Sequence, residues 1–296
     1  MSKASYNKRI ISGLSAGIFG LIVVGIGGFW FTFALGLIVH LALIEYFRMA
    51  EFAGIRPASK TTLLACQIIL LSTYFDTQGM FSQELASAVL PVSGAAICGW
   101  LLLQPVTGSI ADIAASIFGL FYLGYLPSYW IRLRNLPNPD LSGPLELMLN
   151  NSINVISSGL LITLIACLMI VASDIGSYYF GKFFGKNPLS PISPAKTIEG
   201  AIFGVISSIL IGSISGIAFN CNFSGLLCWT SLGFLVGIFA IAGDLIESMM
   251  KRDAGLKDSG NVLPGHGGIL DRIDSYLFTP SIVYYLIKII LPILVN

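Results

Sequence analysis

The residues of this chain that could do chemistry gather in one stretch near its C-terminal end. It runs Gly243-Asp244-Leu245-Ile246-Glu247-Ser248-Met249-Met250-Lys251-Arg252, continues through Lys257-Asp258-Ser259-Gly260, and reaches Leu263-Pro264-Gly265-His266-Gly267-Gly268-Ile269-Leu270-Asp271-Arg272-Ile273-Asp274-Ser275. On a helix, Asp244, Glu247, Ser248 and Lys251 stand at i, i+3, i+4 and i+7, so they line one face over about 10 Å of rise. That stripe lies on an otherwise apolar segment, and turning it toward lipid is prohibitive. It must face a water-filled cavity or a bound ion. Past Arg252, the glycines and Pro264 forbid continued helix and let backbone approach a ligand closely. His266 stands among them. Asp271 and Asp274, three apart, return on the start of a final helix. Carboxylates at Asp244 and Asp271 can share one or two hard cations, since Mg²⁺ takes one or two carboxylates together with substrate phosphate oxygens. Lys251, Arg252, Lys257 and Arg272 supply the opposite charge for phosphates. The competing reading is a solvated loop with surface ion pairs, and the alternation of acid and base beside glycines and an apolar helix argues against it.

Two further groups could take part. Asp174-Ile175-Gly176-Ser177-Tyr178 closes an apolar run, with Asp174 and Tyr178 four apart on one helix face. Gly176 and Gly181 allow another helix to come close. Read alone, Asp174 equally suits a residue that marks the water boundary, with the neighbouring aromatics as an interface belt. The second group is Ser193-Pro194-Ala195-Lys196-Thr197-Ile198-Glu199-Gly200. Ser193 suits an N-cap and Pro194 the first helical position, so the first-turn amides, Lys196 and the Thr197 hydroxyl would form an anion site fit for phosphate. An ordinary capped helix with a snorkelling lysine explains the same residues in isolation.

These groups need elements to hold them, and the chain supplies mostly apolar ones. Of 296 residues, 55% are hydrophobic and only 10% charged. Apolar runs of about twenty residues predict an all-α polytopic membrane protein, with a polar catalytic cavity in its C-terminal half. Nine spans are expected, near 10–28, 29–47, 61–77, 84–103, 107–131, 153–180, 200–219, 225–251 and 275–295. If the N-terminus is cytoplasmic, Lys3, Lys8, Arg9, Arg48, Arg56, Lys60, Lys182, Lys186, Lys196, Lys251, Arg252, Lys257 and Arg272 share one side. Arg132 and Arg134 break that pattern, and Lys288 falls inside the last span. The early cations resemble a signal peptide, but without an A-x-A-like cleavage site an uncleaved first helix is expected.

The net charge of +1 gives no reason to expect a nucleic-acid partner. Five cysteines, Cys66, Cys98, Cys167, Cys221 and Cys228, lie in or beside apolar runs without a C-x-x-C pair, so they read as small packed side chains. Turn signals at Leu136-Pro137-Asn138-Pro139-Asp140 and Ser142-Gly143-Pro144 separate residues 1–152, a lipid-facing or dimer-supporting half, from residues 153–296, the catalytic half. Asp112, Glu45 and His40 remain inside or near front-half spans. A charge at mid-bilayer costs about 2.5–3.5 kcal/mol, so Asp112 is expected to face protein or water. Intramembrane carboxylates also suit an ion-coupled transporter. That class favours repeated halves and helices broken at the midplane, whereas here the charged motifs cluster toward one side in the last third.

The run from Ser248 through Met250-Lys251-Arg252, Lys257-Asp258-x-Gly260 and Leu263-Pro264-x-His266-Gly267-Gly268-Ile269-x-Asp271-Arg272-Ile273-Asp274 resembles the signature of the phosphatidate cytidylyltransferases, or CDP-diacylglycerol synthases, at every fixed position. The Asp174-x-Gly176-x-Tyr178 and Ser193-Pro194-x-Lys196-Thr197 runs are similar to that family's C-terminal half. The resemblance covers roughly residues 170–275. It implies an enzyme that transfers the cytidylyl group of CTP to phosphatidic acid, giving CDP-diacylglycerol and pyrophosphate, with Mg²⁺ and room for a second cation. It also implies a homodimer in the lipid bilayer with the site facing the cytoplasm; a bacterial inner membrane is the expected location. By the same resemblance Asp244, Asp271 and Asp274 are the metal candidates. Lys251, Arg252, Lys257, Asp258, His266 and Arg272 are the catalytic candidates, and Asp174, Tyr178, Ser193, Lys196, Thr197 and Ser248 the substrate-binding ones.

Overall fold

A computed structural model describes residues 17–80, 83–136, 157–219, 221, 223–260 and 267–290. The described chain is mostly helical. In order come α1 (Gly17–Ile26), α2 (Gly28–Phe52), α3 (Ser59–Thr77), α4 (Gln83–Leu102), α5 (Ile110–Arg134), α6 (Ser158–Phe184), β1 (Pro188–Ser190), β2 (Ser193–Thr197), α7 (Ile198–Ala218), α8 (Phe223–Asp253) and α9 (Leu270–Ile290). Among the described residues six helices, α2 and α5 to α9, are long and apolar enough to cross a membrane. The described part of α1 is short, as is the apolar stretch Ser87–Leu102 of α4. Helix α3 carries Lys60, Gln67, Asp76 and several Ser and Thr residues among its aliphatics.

Helix α7 shows what kind of surroundings this chain is built for. Its small residues Gly200, Gly204, Ser208, Gly212, Ser215 and Gly216 are buried, while Ile198, Ile202, Ile206, Leu210, Ile214 and Ile217 are exposed. A water-soluble helix buries its large aliphatics; a helix that meets lipid buries small residues so that backbones can approach. The exposed aliphatics recur about every four residues and form one stripe. The protein is an integral membrane protein.

The chain divides into two compact units, one of residues 1–132 with 249–273, the other of residues 133–248 with 274–296. In the first unit α3 packs on α2, α4 and the middle of α5. Leu120–Tyr125 forms a π-helical turn within α5. Gly124 in that turn lies so close to Cys66 of α3 that a Cβ would sit 2.7 Å from its sulfur. Asp112 faces protein, as its expected energetic cost demands. It completes a capping box with Ser109 and accepts the Arg56 amide at 2.7 Å. Ser116 accepts the Ala58 amide at 2.9 Å, so two side chains of one helix start hold the whole α2–α3 turn. Ser109-x-x-Asp112 is the sequence mark of such a box.

In the second unit α6 and α7 lie flat against each other. A Cβ on Gly200 would stand 2.7 Å from the Ser177 carbonyl and one on Gly181 3.1 Å from the Thr197 hydroxyl. On α8, Gly233 and Gly237 allow similar approach to α7, with 2.9 Å from a Gly237 Cβ to the Val205 Cα. Trp229 is fully buried beside Gly212.

One local expectation needs correcting. Ser193 does not cap α7 and Pro194 does not start it. Residues Ser193–Thr197 form β2, paired antiparallel with β1 in the register Pro188 to Thr197 and Ser190 to Ser193. The cap is Thr197, extended at φ −117° and ψ 153°, whose hydroxyl accepts the Gly200 amide at 3.1 Å. β-Branched Thr197 suits both the ribbon and the cap, and the ribbon pairing moves the helix start from Ser193 to Thr197. Glu199 then closes the turn by accepting from the Lys186 amide at 3.1 Å and the Asn187 side chain at 2.9 Å.

Candidate active site

In the second unit, acids from two helices converge. Among the described residues Asp244 and Glu247 of α8 and Asp274 of α9 each offer a carboxylate oxygen, and the three lie within 4.8 Å of one another. Glu247 is 0% and Asp274 7% exposed. The convergence rests on Gly243. A Cβ there would run into the Asp274 carbonyl oxygen and sit 3.5 Å from the Ser275 Cα, so only glycine lets α9 bring Asp274 to the α8 acids. The Asp274 carboxylate also accepts the Ser275 amide at 2.7 Å. The Ser275 hydroxyl reaches Asp174 of α6 at 3.3 Å, which adds a fourth acid to the neighbourhood.

Carboxylates this close repel in a weakly screening interior and need counter-charge. Lys196 supplies one. Held on β2 next to the Thr197 cap, its ammonium pairs with Asp244 and lies 3.5 Å from the Ser248 hydroxyl. The remaining negative charge, all of it on hard oxygen donors, fits a divalent cation of the Mg²⁺ type. Gly243→Ala is therefore expected to misplace Asp274. A displacement near 1 Å at a reacting centre costs about 100-fold in rate, and a loss of that size in turnover with wild-type membrane insertion would bear this out.

The first unit holds a different arrangement. Asp271 pairs with Lys251 at 2.7 Å, and both side chains are nearly buried. Its other oxygen accepts the Ser259 amide at 3.1 Å, the Ser259 hydroxyl at 3.0 Å and the Gly268 amide at 2.8 Å. Gly267 takes a positive φ of 83°, a conformation that favours glycine, and so turns the chain into α9. Glu45 of α2 accepts the Ile269 amide at 3.0 Å and the Leu270 amide at 2.9 Å.

The expected site residues thus fall into distinct settings. Asp244 and Asp274 join Glu247, which the helical stripe marked but the metal assignment omitted; Lys196, Ser248 and Asp174 stand around them. Asp271 belongs to the other unit, where Lys251, Ser259 and the Gly268 amide engage its carboxylate. Arg252 donates to the Leu256 carbonyl at 3.1 Å and is exposed, as are Lys257, Asp258 and Arg272. Tyr178 is exposed with its ring edge-on to Tyr179 at 5.3 Å. Ser193 is half-buried at the start of β2. His266 lies outside the described residues. Glu45 is the participant the sequence did not single out, because its partners lie 214 to 225 residues away.

Comparison with known proteins gives these arrangements a context. The chain matches the model of the cytidylyltransferase family over residues 7–290. It is 44% identical, over 98% of its own length and 99% of the relative's, to a phosphatidate cytidylyltransferase of Synechocystis sp.. It is 38% identical to phosphatidate cytidylyltransferase 4, chloroplastic, of Arabidopsis thaliana, over 95% of this chain and 73% of that one. With the Bacillus subtilis phosphatidate cytidylyltransferase it shares 31% identity over 95% and 97% of the two chains. A match that runs through α2 to α9, and so takes in both carboxylate groups, means that the chain belongs to the cytidylyltransferase family.

Proposed function

We propose that this protein is a phosphatidate cytidylyltransferase, which transfers the cytidylyl group of CTP to phosphatidic acid and releases CDP-diacylglycerol and pyrophosphate. The observation that carries the reading is the convergence of Asp244, Glu247 and Asp274 beside Lys196, in a chain 44% identical over nearly its full length to a protein of that name.

A phosphate oxygen of phosphatidic acid attacks the α-phosphorus of CTP. The new P–O bond forms as the bond to the β-phosphate oxygen breaks, and pyrophosphate leaves with the electron pair. The second pKa of a phosphate monoester lies near about 6, so the nucleophile is largely ionised at neutral pH and needs no strong general base. The obstacle is repulsion between two anionic substrates, and positioning and charge neutralisation answer it. Asp244, Glu247 and Asp274 would hold Mg²⁺, which when bound supplies positive charge to the nucleotide phosphates. Lys196, with Ser248 beside it, would exchange its carboxylate partner for a phosphate oxygen. Within the first unit, Lys251, Arg252, Lys257 and Arg272 are cations suited to phosphate, and Asp271 would set the direction of the Lys251 ammonium.

The lipid substrate keeps its acyl chains in the bilayer, so its headgroup must be met at the interface. We place that interface on the cytoplasmic side of a bacterial inner membrane, with nine spans and two copies of the chain. The one-sided distribution of Lys and Arg supports this orientation. The test is pyrophosphate release by purified protein. Release that requires CTP, phosphatidic acid and Mg²⁺ together is the expected result. Release without the lipid, or ion flux in vesicles with no release at all, would contradict the reading, and the latter would favour a transporter.

A further inference from the structure

We propose that Glu45, on a helix of the N-terminal half, is a positioning residue for the signature loop: it caps the first turn of α9 from outside and, through Ser259, fixes Asp271. The inference rests on the cytidylyl-transfer reading above for its kinetic consequence, and on geometry alone for its structural one.

Glu45 is 1% exposed on the apolar helix α2, two turns from its C-terminal end, where a buried carboxylate needs polar partners. Its carboxylate has found compensating partners. The first amides of a helix lack intrahelical acceptors and carry partial positive charge. Those of Ile269 and Leu270, at the start of α9, donate to its two oxygens at 3.0 and 2.9 Å. The cap therefore comes from a residue more than two hundred positions away instead of from the chain just before the helix. The Ser259 hydroxyl lies 3.0 Å from Glu45 and 3.0 Å from Asp271. Its one proton serves one carboxylate at a time, while the Ser259 amide stays on Asp271. Ser259 is itself 2% exposed, so no water competes freely for either bond.

The same contact explains two glycines of the motif. A Cβ on Gly260 would sit 2.8 Å from the Glu45 carboxylate carbon, and so would one on Gly268. At both positions the backbone itself lies against this carboxylate, which leaves room for glycine only. The device has one chemical consequence. Glu45 on α2 braces the start of α9, which carries Asp271, the partner of Lys251, so a helix of the N-terminal half acts on the reaction through that acid.

The test uses the full-length protein in detergent, as wild type, Glu45→Gln, Ser259→Ala and the double variant, with steady-state kinetics and amide hydrogen exchange. Gln keeps the length of Glu but cannot accept from both amides. We expect kcat to fall about 10- to 100-fold in Glu45→Gln, the range for residues that support a site from behind, with the KM for CTP within about threefold. Exchange in the 267–275 segment should accelerate at least about tenfold. The double variant should be no slower than the slower single one. Wild-type kcat in both single variants, multiplicative losses in the double, or a loss of kcat with unchanged exchange would each overturn the proposal. If Glu45→Gln does not accumulate, Ser259→Ala, which removes only a hydroxyl, decides by the same criteria. If the wild type shows no cytidylyl transfer, the reading of function fails, and the exchange comparison alone still decides whether Glu45 holds the loop.

Discussion

Asp244→Asn is expected to lower cytidylyl transfer by about 1000-fold or more while the protein still inserts and folds. Asparagine keeps the shape of the side chain and removes one charge from a group of three carboxylates within 4.8 Å. A bound metal contributes several kcal/mol of transition-state stabilisation, and each 1.4 kcal/mol or so is a factor of ten in rate. Losing about 4 kcal/mol of it therefore gives a loss of that size. The stability response should run the other way. Removing one of several like charges relieves repulsion with Glu247 and Asp274, although Lys196 loses its partner. The thermal unfolding midpoint should hold or rise as activity disappears, the pattern of a site that gives up stability for function. Assays of purified wild type and variant side by side check both. Activity within about tenfold of wild type would remove Asp244 from the metal assignment.

Asp271→Asn should also be severe, about 100-fold or more in turnover, but for a different reason and with a different stability signature. One Asp271 oxygen holds Lys251 and the other accepts three donors from Ser259 and Gly268. An amide cannot serve both sets. Turned one way it presents an NH₂ to the Lys251 ammonium, and turned the other way it presents one to the backbone amides. Breaking a nearly buried ion pair by removing one partner costs about 3–5 kcal/mol. The expected result is lost activity together with a lowered unfolding midpoint, in contrast to Asp244→Asn. Equal midpoints in the two variants would show that Asp271 does not organise the loop.

The contrast between these two acids also marks where sequence reasoning reached and where it stopped. The spacing of Asp244, Glu247, Ser248 and Lys251 puts all four on one helix face, because helical periodicity is a local property. The structure gathers the first three positions around Asp274 and Lys196, while Lys251 pairs with Asp271. The bend from the glycine-rich loop into α9 was legible in the same way, from the Gly267-Gly268 pair and the return of Asp271 and Asp274. The sharing of Asp244 and Asp271 was a reading of charge alone, and charge does not say which acid meets Lys251 and which meets Glu247. Glu45 was visible only as an acid in an apolar span, since nothing local links it to Ser259, Ile269 or Leu270. Ser193-Pro194 suits a helix start by its local chemistry, but pairing with Pro188–Ser190 makes it a strand, and Thr197 caps α7 instead. Asp112 could have been recognised from Ser109-x-x-Asp112 as a capping residue.

The packing of glycine against backbone ties fold to site throughout the second unit. Gly200 on Ser177, Gly233 on Ser208 and Gly243 on Asp274 are successive close approaches along α7, α8 and α9. The first lies at the residue that Thr197, next to Lys196, caps; the last sets Asp274. A membrane helix has little hydrophobic force to press it on its neighbour, so such contacts determine where polar groups end up.

The most direct test of the account follows the label of CTP. Purified protein is given phosphatidic acid, Mg²⁺ and CTP labelled at either the α- or the γ-phosphorus, and the lipid is extracted. The account predicts α-label in the lipid fraction and γ-label in aqueous pyrophosphate, both absent without phosphatidic acid. The appearance of γ-label in the lipid, or of both labels in water as CTP is hydrolysed, would contradict it.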